Sequence, residues 1–549
     1  MIVTEAWSLT YLQRLYRRSA IFDWRMRQQP RPTPTHWKAR DPWRGKANLG
    51  QPLVSGDHPL EHDGPDWHRF RWLRDMREFG GSQARTISRR VVMDWVIRNS
   101  RWSNAHWHPD IMADRLKTMV LLWGWYGESA SLSQQQSLIA SMAVQLHCLE
   151  KDWDGLASAD ARVNALSGII LTSLFLDPDA DAGTHAATLG EEISNLVLGD
   201  GCHVSRRPDQ HLGLLQMLIE TRGAMTASLG WIGEAGTAHH KSIEDSLSLI
   251  EDTIIRMGSV GRMWRHVDGT LMAIRGSASA DLDMAEQILA QAGPEGKVTH
   301  HAADSGFIRI ASGRSVLMMN AAPPSWGASK SLAWGADHDA GALAIEFSNG
   351  QNRIIINAGP IDGDDNPALR QALASTAAHS TLTLDDTNSA DISDGGSRQA
   401  QGSETESGPA EGGTLAVASH DGYEPTHALT HTRRIFLATG GYDLRGEDQL
   451  TYTGGPGSIP TEAVVRFHLH PKITPILSLK GDVTLRLPGS AAPWAFRSDG
   501  ARVSVEDSII VGPEGVEKTR AITLTVETAT IRQHGEQSIR WGLRRVAKK

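Results

Sequence analysis

Imidazole and carboxylate groups recur beside short strand-like runs in the second half of the chain. Asp337, His338 and Asp339 stand just before the run from Ala342 to Phe347, and His379 stands just before Ser380 to Leu384. Brought together at strand ends, such groups suit proton transfer or metal binding; left apart, they are polar strand ends facing water. The first half offers the run GCHVSRRPDQHL, Gly201 to Leu212. There Arg206 and Arg207 precede a proline, Asp209 is placed to cap a helix, and Gln210 and His211 follow in its first turn. Such a helix start either favours an anion, for example a uronate carboxylate, or is an ordinary capped helix with surface arginines. A further polar run, Arg262 to Gly269, holds Trp264, Arg265 and His266, which either line a saccharide groove or decorate a loop.

These residues need elements to position them. Ala342 to Phe347 and Arg353 to Asn357 read as two strands around the turn Ser348-Asn349-Gly350, since Asn-Gly between alternating apolar runs is a strong hairpin signal. From about residue 67 the apolar spacing is helical, as in Ile87, Val91 and Trp95, or Leu138, Met142, Leu146 and Leu149. Leu247, Ile250, Ile254 and Met257 continue it, and a last helix over Asp281 to Ala292 stops at Gly293-Pro294. After about residue 297 the pattern changes to short β-rich runs, among them Phe307–Ile310, Val316–Asn320, Val464–His468 and Ile522–Val526. Helices and strands segregated into separate halves predict a helical bundle or curved helical array followed by an antiparallel sandwich or layered sheet. The expected parts are an irregular, Pro-rich arm over 1–66 pinned by Trp24, Trp37 and Trp43, a helical domain over 67–297, and a β-domain over 298–549. Asp391 to Gly413, rich in Gly, Ser and Glu, reads as a loop.

Composition bounds the function. Apolar content of 40% and charged content of 21% are those of an ordinary globular chain. No run of about 18 apolar residues predicts a membrane span, and the first residues carry no signal-peptide core. On sequence alone this places the chain in the cytoplasm. Cys148 and Cys202 are too few for a disulfide framework. The net charge of −8 hides an asymmetry: residues 1–110 hold 19 Lys and Arg against 11 Asp and Glu, a net of +8, which leaves −16 for the remainder. A basic first part attracts an anionic partner. Nucleic acid is not that partner, because no binding module accompanies the charge. No phosphate-binding loop, dinucleotide fingerprint or serine-nucleophile elbow is present.

Taken together, the run His338 to Gly359, the phrase Thr376 to Thr381, His420 to Tyr423, His431 to Arg433 and Arg466 to Pro471 resemble the heparinase II/III-like polysaccharide lyases. The resemblance implies an N-terminal (α/α) toroid followed by a C-terminal antiparallel β-sandwich, and a periplasmic or cell-envelope location. It implies β-elimination on a uronic-acid polysaccharide such as a glycosaminoglycan or alginate, with an acidic polysaccharide or oligosaccharide as partner. Carried over residue by residue, it makes His211, His266 and His338 the catalytic groups. Arg206, Arg207, Gln210, Trp264 and Arg265 become substrate-binding groups. No cofactor is required; a structural divalent ion, zinc or calcium, falls to His338, Asn357 and His379. Two departures stand out. The toroid tyrosine of the family is absent, His266 standing in about its place. Asn357 replaces the family's aspartate, which weakens a zinc or hard-cation site. The alternative these departures raise is a non-catalytic saccharide-binding protein on the same scaffold.

Overall fold

The computed structural model describes residues 11–27, 40–56, 64–177, 182–232, 238–273, 281–294, 297–321, 339–359, 366–392, 402–489, 491–512 and 515–546. Two compact units emerge. The first comprises residues 1–197, 213–255 and 290–293; the second comprises 198–212, 256–289 and 294–549. The boundary expected at 297 is therefore crossed twice, because two helical pieces belong to the strand-bearing unit.

The first unit is helical. Its helices include Trp72–Phe79, Gly81–Arg98, Pro109–Leu121, Leu132–Asp152, Ala159–Leu176 and Gly183–Leu196. Local chemistry sets their starts. Ser131 and Gln134 close a reciprocal capping box ahead of Leu132, and Ser158 accepts from the Ala161 amide. Ala159–Leu176 is apolar on all sides and long enough to cross a membrane, yet Val163 to Leu176 are all buried inside the unit, as a core helix requires. Among the described residues of the arm, expected to be irregular, Tyr11–Arg17, Ala20–Arg27 and Ala47–Ser55 are helices. Pro52 lies inside the last of these, while Pro30, Pro32 and Pro34 lie outside the described residues. Trp43 does pin the arm, fully buried with its indole N–H donating to Glu220 at 2.7 Å. Trp24 is exposed, and Trp37 lies outside the described residues.

Charge, not only apolar packing, fills this unit. Arg74 bridges Asp41 and Glu220 at 3.0 and 2.9 Å. Asp114 accepts from Arg69 and Arg71 at 2.5 and 2.7 Å, and Arg69 also reaches Asp110 at 2.5 Å. Burial alone would raise the Glu220 carboxyl, but Lys117 and Arg74 beside it pull it below its usual range.

Among the described residues the strands of the second unit form two antiparallel sheets, of nine and eight strands. In the first sheet Phe307–Ser312, Ser315–Asn320, Ile345–Asn349 and Asn352–Ile356 follow one another, and Glu462–Leu469 then pairs with Asn352–Ile356. The expected hairpin is present, with Gly350 at φ +58° in its turn, one residue later than read. The second sheet centres on Leu429–Ala438, Asp443–Tyr452 and Glu536–Arg545. The loop expected over 391–413 is instead partly a strand: Gly402–Ala410 pairs with Gly413–His420 at the sheet's edge. Its polar composition hid it, since an edge strand has no need to alternate apolar residues.

Residues of both sheets share one apolar core, including Leu317, Phe347, Phe467, Trp494 and Leu543. Along Leu429–Ala438 alternate side chains turn inward, and two of these are His431 and Arg433. Both bond Asp448 on the neighbouring strand, at 2.8 and 2.7 Å, and Trp541 donates to its second oxygen at 2.9 Å. Arg433 then reaches across to the carbonyls of Leu343 and Ser380 in the other layer, at 2.8 Å each. Removing one member leaves a charge enclosed without its partner. We expect Asp448→Ala to lose roughly 3–5 kcal/mol in urea melts monitored by tryptophan fluorescence.

Candidate functional site

The expected site residues that are described lie in the second unit. The helix Pro208–Ile232 starts at Pro208, with proline at its first position, so Asp209 lies within the first turn and pairs with Arg207 at 2.8 Å. His211 follows one turn in. Its Nε2 donates to the Met257 carbonyl at 2.8 Å, and its Nδ1 accepts from the His203 amide at 3.3 Å. A Cβ on Gly261 would crowd the Leu289 side chain at 2.7 Å but only touch the His211 ring, at 3.5 Å. Trp264 packs edge-on against the His211 ring at 4.9 Å and against Phe307 at 5.3 Å. Burial pushes the His211 imidazole down to about 3.

His266 is equally enclosed. Its Nε2 donates to Glu346 at 2.8 Å, while its Nδ1 pairs with the Ser348 hydroxyl at 2.9 Å. Glu346 stands between Ile345 and Phe347 in the strand Ile345–Asn349 and is fully buried. It also accepts from Arg353 at 2.7 Å, from the Ala273 amide at 3.0 Å and from the Asn357 amide at 3.3 Å. Burial would raise its carboxyl, but Arg353 and the His266 donor override it and hold it at about 2. Burial lowers the His266 ring, against the pull of Glu346. Glu346 and Arg353 were not anticipated as partners. The signal was available: a single acid in ALAIEF, facing an arginine across the Asn-Gly turn.

The expected substrate-binding groups divide. Arg206 is buried, donates to Asn320 at 2.9 Å and lies over the Phe307 ring at 4.9 Å, so its guanidinium is internal and not offered at a surface. Its backbone sits at φ +59°, a conformation few side chains adopt. Trp264 is likewise core and lines no groove with its ring. Gln210 is exposed, and Arg265 is half-exposed 3.5 Å from Glu286. His338 lies outside the described residues.

The metal reading meets a different arrangement. Asn357 accepts from the Ser380 amide at 2.8 Å and donates to Glu346, so both ends of its amide are committed. His379 donates through Nδ1 to the Ser375 carbonyl at 2.8 Å. Its Nε2 stands 3.9 Å from Asp339, whose Oδ2 has no hydrogen-bond partner. A Cβ on Gly341 would come within 2.8 Å of the His379 ring, so glycine is needed for this approach. Among the described residues no three His, Cys, Asp or Glu side chains converge on one point. Asn357 is thus committed to protein partners at both ends, and His338, the third member of the expected set, lies outside the described residues.

These shifts predict a pH dependence. A neutral, enclosed imidazole favours folding fully above its ordinary value of 6.5, and that contribution is lost progressively as pH falls towards about 3. In denaturant melts across this window, His211→Phe should reduce the slope of stability against pH by about 1.4 kcal/mol per unit.

Comparison with known proteins follows the same division. Residues 294–542 match the family model described as heparinase II/III-like, C-terminal. The chain is 26% identical over 499 residues to FtsZ-localized protein C of Caulobacter vibrioides (strain NA1000 / CB15N), covering 87% of this chain and 81% of that protein. Among solved structures it resembles the heparan sulfate lyase HepC from Pedobacter heparinus, with a TM-score of 0.63 at 14% identity over 96% of this chain and 88% of the lyase. Heparinase III is similar, at 0.64 and 13% over 99% and 93% of the two chains. The architecture is thus the (α/α) toroid and antiparallel β-sandwich expected from the sequence, and residues 294–542 carry the likeness to the heparinase II/III-like family model.

Proposed function

We propose that this chain is a non-catalytic binding protein built on the heparinase II/III scaffold. One observation carries the reading: His211 and His266 are enclosed, and both nitrogens of each ring are engaged by the chain's own groups. β-Elimination on a uronate needs a base within hydrogen-bond reach of the C5 proton, an acid at the leaving O4, and a donor that neutralises the carboxylate. Neither ring can take that proton without breaking a buried hydrogen bond, and an imidazole near 3 is a weak base. No tyrosine stands between Tyr126 and Tyr423 to act in their stead. The likeness to heparan sulfate lyases supports an acidic saccharide as the ligand class. The likeness to a protein named for its localisation with FtsZ supports a place in an FtsZ-containing assembly.

A second reading is a lyase cleaving uronic-acid polymers by β-elimination, favoured by a shared fold with such lyases over nearly the whole chain. Incubation with alginate, hyaluronan, heparan sulfate and polyglucuronate separates the two, because elimination leaves an unsaturated uronate that absorbs in the ultraviolet. We expect no absorbance change, together with saturable binding to at least one polymer or co-sedimentation with FtsZ filaments. Absorbance that grows with time and is abolished in His338→Ala would overturn the proposal in favour of the lyase.

A further inference from the structure

The helical unit carries an open pocket of about 320 Å³ that neither reading uses. Its lining carries four arginine or lysine side chains and four aspartates or glutamates, so its formal charge is zero. These charges already satisfy one another: Asp114 binds Arg69 and Arg71, and Glu220 binds Arg74. A charged ligand would have to break such a pair, and breaking a buried pair is costly.

What the lining leaves over is different in kind. Asn164 is only 5% exposed; its amide nitrogen donates to Asp110 at 2.8 Å, while its carbonyl oxygen has no partner. The Lys117 ammonium stands 3.3 Å from Asp114 and 3.4 Å from Glu220, two contacts for a group with three N–H donors, which leaves one over. Gln216, partly exposed, turns its amide nitrogen to Glu220 at 3.3 Å and keeps its oxygen for other donors. Unused donors and acceptors side by side suit hydroxyl groups, each of which donates and accepts at once. Hydroxyls add to a paired network without displacing any member of it. The volume lies at the small end of ligand pockets, roughly 300–1,000 Å³, which suits one ring and not a polymer.

The geometry points to a binding site for a single neutral sugar ring in the helical unit, with Asn164, Lys117 and Gln216 as its hydroxyl partners. This site is independent of the acidic saccharide considered above and takes an uncharged ligand.

The test uses the full chain and small probes: glucose, N-acetylglucosamine and inositol against glucuronate and glycine, followed by saturation-transfer NMR and calorimetry. At least one neutral probe should saturate, and glucuronate and glycine should bind about tenfold more weakly or worse. Gln216→Ala should weaken the neutral probe by about tenfold without moving the melting temperature, since that side chain is partly exposed. Asn164→Ala should do the same, and if it fails to fold, Gln216→Ala decides alone. Three results would overturn the site: no neutral probe binding up to roughly 100 mM, glucuronate or glycine binding as tightly, or affinity unchanged in the variant.

Discussion

The strand-bearing unit depends on one carboxylate that sees no water. Glu346 sits in a strand whose neighbours are apolar, and an ionised acid there is tolerable only if donors surround it. They come from four directions in sequence: His266, the Ala273 amide, Arg353 and Asn357. The segment after the helix Ala238–Met263 is thereby tied to the first sheet. This requirement explains why the imidazole of His266 is not free for other work. It also explains why Asn357 suits its place: an amide can donate to the acid and accept from Ser380 in the same pose, which a carboxylate could not do.

The same logic recurs in the second sheet, where Asp448 gathers His431, Arg433 and Trp541. Buried ionic groups of this sort add little net stability compared with apolar packing, but they penalise every arrangement that leaves a member unpaired. In this chain they fix registers between strands and the distance between the two layers. His266, which the family resemblance makes a catalytic group, is one member of such a network.

Much of the architecture was legible. The change from helical to alternating spacing near residue 297, and the Asn-Gly turn, reported real features because periodicity follows directly from which face is buried. The strands Asp443–Tyr452 and Glu536–Arg545 escaped because charged residues occupy their outward positions and break up the apolar pattern. The site was less legible. Types and order of residues single out histidines, but burial decides whether an imidazole is a base or a structural donor, and burial is a property of the assembled layers. Arg206 shows the difference most plainly. Beside Arg207 and Pro208 it reads as a surface cation, yet a left-handed backbone turns it inward onto Phe307.

The strand Gly402–Ala410 closes one margin of the second sheet, and such a margin exposes a row of amides and carbonyls ready to pair with any passing chain. Here the margin is poorly adhesive. Pro409 removes one amide donor, and Glu406 and its acidic neighbourhood repel a second copy. Two such strands meeting edge to edge therefore have little to zip together.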